Sequence, residues 1–194
     1  MRYWVSVSLL AFALVGLGAQ DKTHAARQGG AAHRRNELTL AGMRPGRTAM
    51  AKVLRQYPLK PTEKGSAALA WHDECVDYDL FVDPEKNGKV QSVRVTEANS
   101  GNISECERSK SFKPWWVTGN QLALENSISR VLDIYGKPTS RSPSTKGGQQ
   151  LELLYYAFDW AGPDVPQVME VLCTAEKDGK PGRVVEITLA APSL

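Results

Sequence analysis

Thr48-Ala-Met-Ala-Lys-Val-Leu-Arg-Gln-Tyr57 recurs, without a gap, as Asn126-Ser-Ile-Ser-Arg-Val-Leu-Asp-Ile-Tyr135. The offset is constant, because 126 − 48 and 135 − 57 both equal 78. In each copy four apolar or aromatic residues fall at positions i, i+3, i+4 and i+7, which is the spacing of one side of an α-helix. The repeat therefore predicts two short helices with apolar sides formed by Met50, Val53, Leu54 and Tyr57 and by Ile128, Val131, Leu132 and Tyr135.

The ends of both helices also have sequence signals. Thr48 and Asn126 stand where an N-cap is expected, and Gly136 directly follows the second helix. Helices this short are marginal alone, so each apolar side must pack on another element.

Strand-like segments follow each helix and supply that element. In the first copy they cover residues 67–73, 76–82 and 90–96, with a hairpin turn at Asn87-Gly88. In the second copy they cover residues 151–160, 167–174 and 184–190. Alternation gives each sheet an apolar face for the helix and a mixed polar face that stays open. The sequence thus predicts an α+β protein of two tandem units, 37–108 and 120–194, each a short helix packed on one face of a small antiparallel sheet, with a connector at 109–119.

The two copies differ in length. The offset grows to 94 at the final turn (182 − 88), so the second copy has 16 additional residues (94 − 78). We assign these residues to loops at 139–150 and 161–166.

The N-terminus predicts export. An arginine at position 2 precedes an apolar run at 5–17 and small residues at 18–19, so we expect a signal peptide at 1–19 and a disordered linker at 20–36. An uncleaved anchor helix is the alternative, although the run is shorter than the ~20 residues of a membrane span. The expected location is periplasmic or secreted.

Three cysteines in an exported chain allow one disulfide and one odd thiol. Cys75 and Cys106 lie at the edges of polar segments in the first copy and form the candidate disulfide. Cys173 lies within an apolar segment and is expected to be a buried core residue.

The pattern resembles a known group. Ser129-Arg-Val-Leu-Asp-Ile-Tyr-Gly-Lys-Pro138, followed by antiparallel strands that end in Gly-[Lys/Arg]-Val, looks like the small outer-membrane assembly lipoproteins of the SmpA/BamE (OmlA) type. The tandem arrangement, the export signal and the expected disulfide are similar to the secreted β-lactamase inhibitory proteins. The resemblance implies tandem BamE-like units and, from the inhibitor proteins, an open sheet face that grips another protein.

The sequence holds no motif of a known catalytic, cofactor or metal site. Asp83 to Gly88 begins like a calcium loop, but position twelve is Arg94, so a hairpin turn is expected. Asp77 and Asp79 could form a carboxylate pair on a strand, although an open face offers little desolvation. We therefore expect no enzymatic activity, no cofactor and no bound metal, and these two aspartates are the candidates if the protein is a hydrolase.

Charge and aromatic residues indicate the class of partner. A net charge of +3, from 24 basic and 21 acidic residues, does not predict nucleic-acid binding. Aromatic side chains are efficient interface anchors. We expect a protein or cell-envelope component to bind the open face; a small-molecule or peptidoglycan-fragment binding module is the alternative. The candidate contact residues are Trp71, Phe81, Tyr156, Phe158 and Trp160, and Trp115-Trp116 is expected to pack between the two copies.

Overall fold

The computed structural model describes residues 36–57, 69–98, 116–162, 165–175 and 182–192, which contain two helices and seven strands. Both helices lie where the repeat predicts them. The elements, in chain order, are α1 (Met50–Gln56), β1 (Leu69–Asp73), β2 (Tyr78–Pro84), β3 (Val90–Glu97), α2 (Ile128–Tyr135), β4 (Ser140–Lys146), β5 (Gln149–Ala157), β6 (Val168–Thr174) and β7 (Val184–Ala190).

The helices begin one residue later than predicted. The N-caps are Ala49 and Ser127, and the Ser127 side chain accepts a hydrogen bond from the Arg130 N–H. Thr48 instead accepts a hydrogen bond from the backbone of Arg44. Gly136 ends α2 with a φ of 70°, a conformation that glycine adopts without strain.

The seven strands form one antiparallel sheet in the order β1-β2-β3-β7-β6-β5-β4. The prediction of two tandem units with separate sheets is therefore wrong. The last strands of the two copies pair with each other, with Val93 opposite Leu189 and Val95 opposite Ile187. Both strands have the same alternation of apolar residues, and their pairing satisfies two edges that separate sheets would expose.

One core serves both copies. Val53 of α1 and Val131 of α2 are fully buried in the same cluster as the apolar residues of the sheet, so both helices cover the same face. Burial against a shared core is the arrangement that two short helices need. The resemblance to tandem BamE-like repeats, and to tandem inhibitor proteins, does not hold for this single-sheet fold.

The strand β4 differs from the sequence-based prediction. The sequence predicts a loop at 139–150, and Ser-Arg-Ser-Pro-Ser-Thr-Lys has no apolar alternation that would indicate a strand. The segment is an edge strand that is exposed at nearly every position, and Pro143 is tolerated because an edge leaves some N–H groups unpaired. Gly147 and Gly148, both with positive φ, form the tight turn to β5.

Several predictions concern residues that the structure does not describe. The signal peptide at 1–19, all but the last residue of the linker at 20–36 and most of the connector at 109–119 lie outside the described residues. Within the described ranges, none of the helices has the length and hydropathy to cross a membrane.

Candidate functional site: the open face of the sheet

The helices cover one face of the sheet, and we call the opposite face the open face. The register places one residue from every strand in a continuous line across it, because each partner pairs in turn with the next strand. We call this line the central row: Ala70, Phe81, Arg94, Thr188, Glu170, Tyr155 and Ser140.

The central row combines aromatic and charged side chains that are partly exposed. The Arg94 guanidinium carbon lies 4.4 Å from the centroid of the Phe81 ring, a cation–π contact. Tyr155 lies farther along the row on β5, paired with Glu170. The side chains of Phe81, Arg94, Glu170 and Tyr155 are half-buried, so each presents part of its surface to solvent while its neighbours hold it in place.

A second line, the polar row, lies beside the first. It crosses four strands with His72, Asp79, Thr96 and Glu186 as successive cross-strand neighbours. The His72 Nδ1 lies 2.9 Å from the Asp79 Oδ1. Asp79, Thr96 and Glu186 are buried although they lie on the open face, which means that another part of the chain covers them.

Part of the cover over the polar row comes from the β4–β5 hairpin. The Lys146 ammonium, at the tip of this hairpin, donates hydrogen bonds to the Thr96 hydroxyl and, at 2.6 Å, to the Glu186 carboxylate. In sheet order β4 is three strands from β7, roughly 14 Å, which exceeds the reach of a lysine side chain. The tip of the hairpin therefore bends over the open face.

The predicted contact residues fall in different places. Trp71, Tyr156 and Phe158 are buried. The Trp71 ring packs at a tilt against Tyr57, and the Tyr156 ring packs at a tilt against Tyr135. Phe81 lies in the central row. Trp160 is 61 % exposed but follows the end of β5, so it is not part of the row. Of the five residues, the structure brings Phe81 alone to the central row.

The site residues missed by sequence reasoning are Arg94, Tyr155 and Lys146. Two of them have a signal in the sequence: alternation along β3 puts Arg94 on the polar face, and alternation along β5 puts Tyr155 and Tyr156 on different faces of the sheet. The burial of Tyr156 decides which of these two tyrosines faces solvent. Lys146 gives no signal, because its role depends on how the hairpin bends.

The predicted carboxylate pair does not share a strand face. Asp77 lies in the turn between β1 and β2 with a φ of 56°, whereas Asp79 lies in β2. Both approach the His72 ring, Asp77 through Nε2 at 3.9 Å. Among the residues that are described, no group of three His, Cys, Asp or Glu is placed to hold a metal ion.

The turn at Asp83 to Gly88 is a hairpin turn, as predicted. The Gly88 N–H donates to the Glu85 carbonyl, and the Asn87 side chain accepts from the Lys89 N–H. Gly88 has a φ of 78°, which fits the glycine of a tight turn.

Two of the three cysteines are described. Cys75 is disulfide-bonded, and Cys173 is free and buried. Burial raises the pKa of the Cys173 thiol to about 12, so this cysteine behaves as a core residue. Cys106 lies outside the described residues, and its pairing with Cys75 remains a prediction.

An ionic cluster joins the two copies at one end of the sheet. Arg183, the residue before β7, donates to both oxygens of Glu97 on β3 and to Glu125 before α2. Burial raises the pKa of the Glu97 carboxyl, although the Arg183 hydrogen bond acts in the opposite direction. The hydrogen bond to Glu97 raises the pKa of Arg183 further. These ion pairs connect the end of β3 with the start of β7.

Comparison with known proteins adds little to this geometry. No family model and no curated protein matches the sequence. Among solved structures, the chain is similar to a cysteine-rich secretory protein from Staphylococcus aureus subsp. aureus Mu50, with a TM-score of 0.42 and 10 % identity. The match covers 82 % of this chain and 49 % of that one, so the chain spans about half the length of that protein.

Proposed function

We propose that this chain is an exported, non-enzymatic binding protein that contacts another protein through the central row of the open face. The observation that carries the proposal is the placement of Phe81, Arg94 and Tyr155 on that row. Arginine and aromatic residues are enriched at protein interfaces and dominate their energetics. Support for export comes from the N-terminal sequence, and the absence of a known catalytic motif supports a binding role.

The central row is suited to a protein partner because its side chains are already ordered. Arg94 is held over Phe81, so less rotamer entropy is lost on binding than for an isolated surface arginine. Glu170 lies between Arg94 and Tyr155 in the row, so the surface carries charges of both signs. Such a surface favours a partner that also presents both charged and apolar groups.

The test compares three baits in culture supernatant or periplasmic extract. They are the chain without residues 1–19, the same chain with Arg94→Ala and Tyr155→Ala, and a control with Arg130→Ala on the exposed side of α2. A protein captured by the first and third baits is then purified, and its Kd is measured. We expect the double substitution to raise Kd by about 30-fold or more. Equal affinity of all three baits, with circular dichroism showing that all are folded, would refute the proposal.

A further inference from the structure

Glu37, at the start of the described domain, is 1 % exposed although it carries a carboxylate. Its oxygens accept six hydrogen bonds. Four come from backbone N–H groups and two from side chains: Leu38 N at 2.8 Å, Thr39 N at 3.1 Å and Gly119 N at 3.1 Å to Oε1, and Asn120 N at 3.1 Å, Asn120 Nδ2 at 2.8 Å and the Tyr135 hydroxyl at 2.6 Å to Oε2. All six donors are neutral groups.

Four of these donors belong to other parts of the chain, and we call the three residues that supply them, Gly119, Asn120 and Tyr135, the carboxylate cradle. The consecutive N–H groups of Gly119 and Asn120 both point at the carboxylate, which is the arrangement of a backbone anion nest. A Cβ atom at position 119 would lie 2.7 Å from the Glu37 Oε1. Glycine is therefore required for this close approach.

The cradle is held in place by contacts that do not involve Glu37. The Thr118 N–H donates to the Leu122 carbonyl, and the Gln121 N–H donates to the Thr118 carbonyl, which fixes the turn at 119–120. Tyr135 is anchored in the core and lies 2.9 Å from the Thr118 hydroxyl. Burial, and secondly the charge of Glu37, raise the pKa of Tyr135, so its hydroxyl keeps the proton that it donates.

We propose that the cradle is a carboxylate-binding site whose resident ligand is the chain's own Glu37, and that it binds a free carboxylate when the Glu37 side chain is removed. Donors that are positioned in advance cost little to organise around a new ligand. The ligand class is the carboxylate, supplied either by a small organic acid or by the C-terminus of a peptide. The site is independent of the central row.

The test uses Glu37→Ala, which removes the carboxylate and leaves a space that acetate can fill. Acetate should raise the melting temperature of this variant by about 5 °C at saturating concentration, relative to chloride at equal ionic strength. The wild type and Glu37→Gln, in which the cradle stays filled, should show no such rise. Adding Asn120→Ala to Glu37→Ala should raise the concentration of acetate needed by about tenfold, because it removes the Asn120 Nδ2 donor and leaves the backbone N–H in place.

Two arms distinguish the source of the carboxylate. Triglycine with a free C-terminus is compared with triglycine amide; stabilisation by the free acid alone assigns peptide C-termini, and stabilisation by acetate alone assigns small organic acids. A folded Glu37→Ala variant that responds to neither acetate nor triglycine overturns the proposal. A variant that stays unfolded in acetate overturns it equally, because the cradle would then need Glu37 to exist.

Discussion

In the two copies of the repeat, equivalent tyrosines pack in the same way, but their hydroxyl groups have different acceptors. Each helix ends in a tyrosine whose ring packs on an aromatic residue of the sheet, Tyr57 on Trp71 at 5.6 Å and Tyr135 on Tyr156 at 5.7 Å. The Tyr57 hydroxyl donates to the carbonyl of Ala41, which is a neutral acceptor, whereas the Tyr135 hydroxyl donates to a buried carboxylate. Equal sequence spacing therefore specifies equal packing, but each hydroxyl takes its partner from a segment outside the repeat.

The residues at the start of each helix make equivalent backbone hydrogen bonds in the two copies. Val90 N–H donates to the Thr48 carbonyl, and Val184 N–H donates to the Asn126 carbonyl. The Met50 and Ile128 N–H groups donate to Gly88 and Gly182. The difference lies in the second copy's additional residues, which form β4 and send Lys146 over the open face.

The largest expected effect comes from truncating the two tyrosines. Tyr135→Ala should lower the free energy of unfolding by about 4 kcal/mol, and Tyr57→Ala by about 2 kcal/mol, because Tyr135 is buried and Tyr57 is partly exposed. Denaturant titration followed by fluorescence and circular dichroism measures both. Each variant should show one coincident transition, as a single core requires. Separate transitions for the two halves would contradict the shared core.

We expect Cys173 to make the stability of the folded chain sensitive to alkali. Its pKa is raised by burial from 9 to about 12, so in this range the unfolded state loses the thiol proton and the folded state keeps it. Stability is therefore full below pH 9 and falls as the pH rises through 12, by about 2 kcal/mol between pH 9 and pH 11. Cys173→Val is the matched variant, because valine is an apolar side chain of similar size that carries no titratable proton.

Unfolding titrations at several pH values test this expectation. Cys173→Val should remove most of the loss between pH 9 and pH 10, before tyrosine ionisation contributes. Tyr57, whose pKa burial raises from 10 to about 12, remains in both proteins and adds the same decline above pH 10. Parallel curves for the wild type and the variant would show that the thiol is not responsible.

Removing the two hydroxyl groups isolates the hydrogen bonds from the packing. Tyr135→Phe should cost about 2 kcal/mol because it takes a donor from a buried carboxylate, and Tyr57→Phe about 1 kcal/mol because its acceptor is a neutral carbonyl. Equilibrium unfolding at pH 7 measures the difference. Equal losses would mean that the carboxylate does not depend on Tyr135.

Lys146→Met should have the smallest effect, about 0.5 to 1 kcal/mol. The Lys146 side chain is 42 % exposed, so solvent screens its ion pair, but Glu186 is largely buried and would lose its partner. Lys52→Met on the exposed side of α1 is the control and should change stability little. Faster proteolysis within residues 140–150 would confirm that Lys146 holds the hairpin; unchanged proteolysis would argue against it.

The helices and six of the seven strands could be predicted because their signals are local. The spacing of Val131, Leu132 and Tyr135 and the alternation of Val93 and Val95 depend on the segment itself. Alternation states which side chains share a face but not which strand is the neighbour, so the β3–β7 pairing could not be read from it.

The candidate site was less predictable than the fold. Aromatic composition drew attention to Trp71 and Tyr156, which are core residues, because large aromatic side chains serve both cores and interfaces. The central row became visible once the register connected Phe81 on β2 with Tyr155 on β5. Glu37 carried no signal, since four of its six donors come from residues about 80 to 100 positions away and the fold must bring them together.

The position of β7 has a consequence for the order of folding. It is the last strand in the described sequence and the central strand of the sheet, and its residue Ala190 pairs with Ser92, 98 positions earlier (190 − 92). During synthesis, β3 and β6 therefore keep one edge unpaired until β7 has been made. Pairing of such high contact order is slow, and open edges in the waiting intermediate attract other chains. The sheet is therefore complete only when β7 has paired with both β3 and β6.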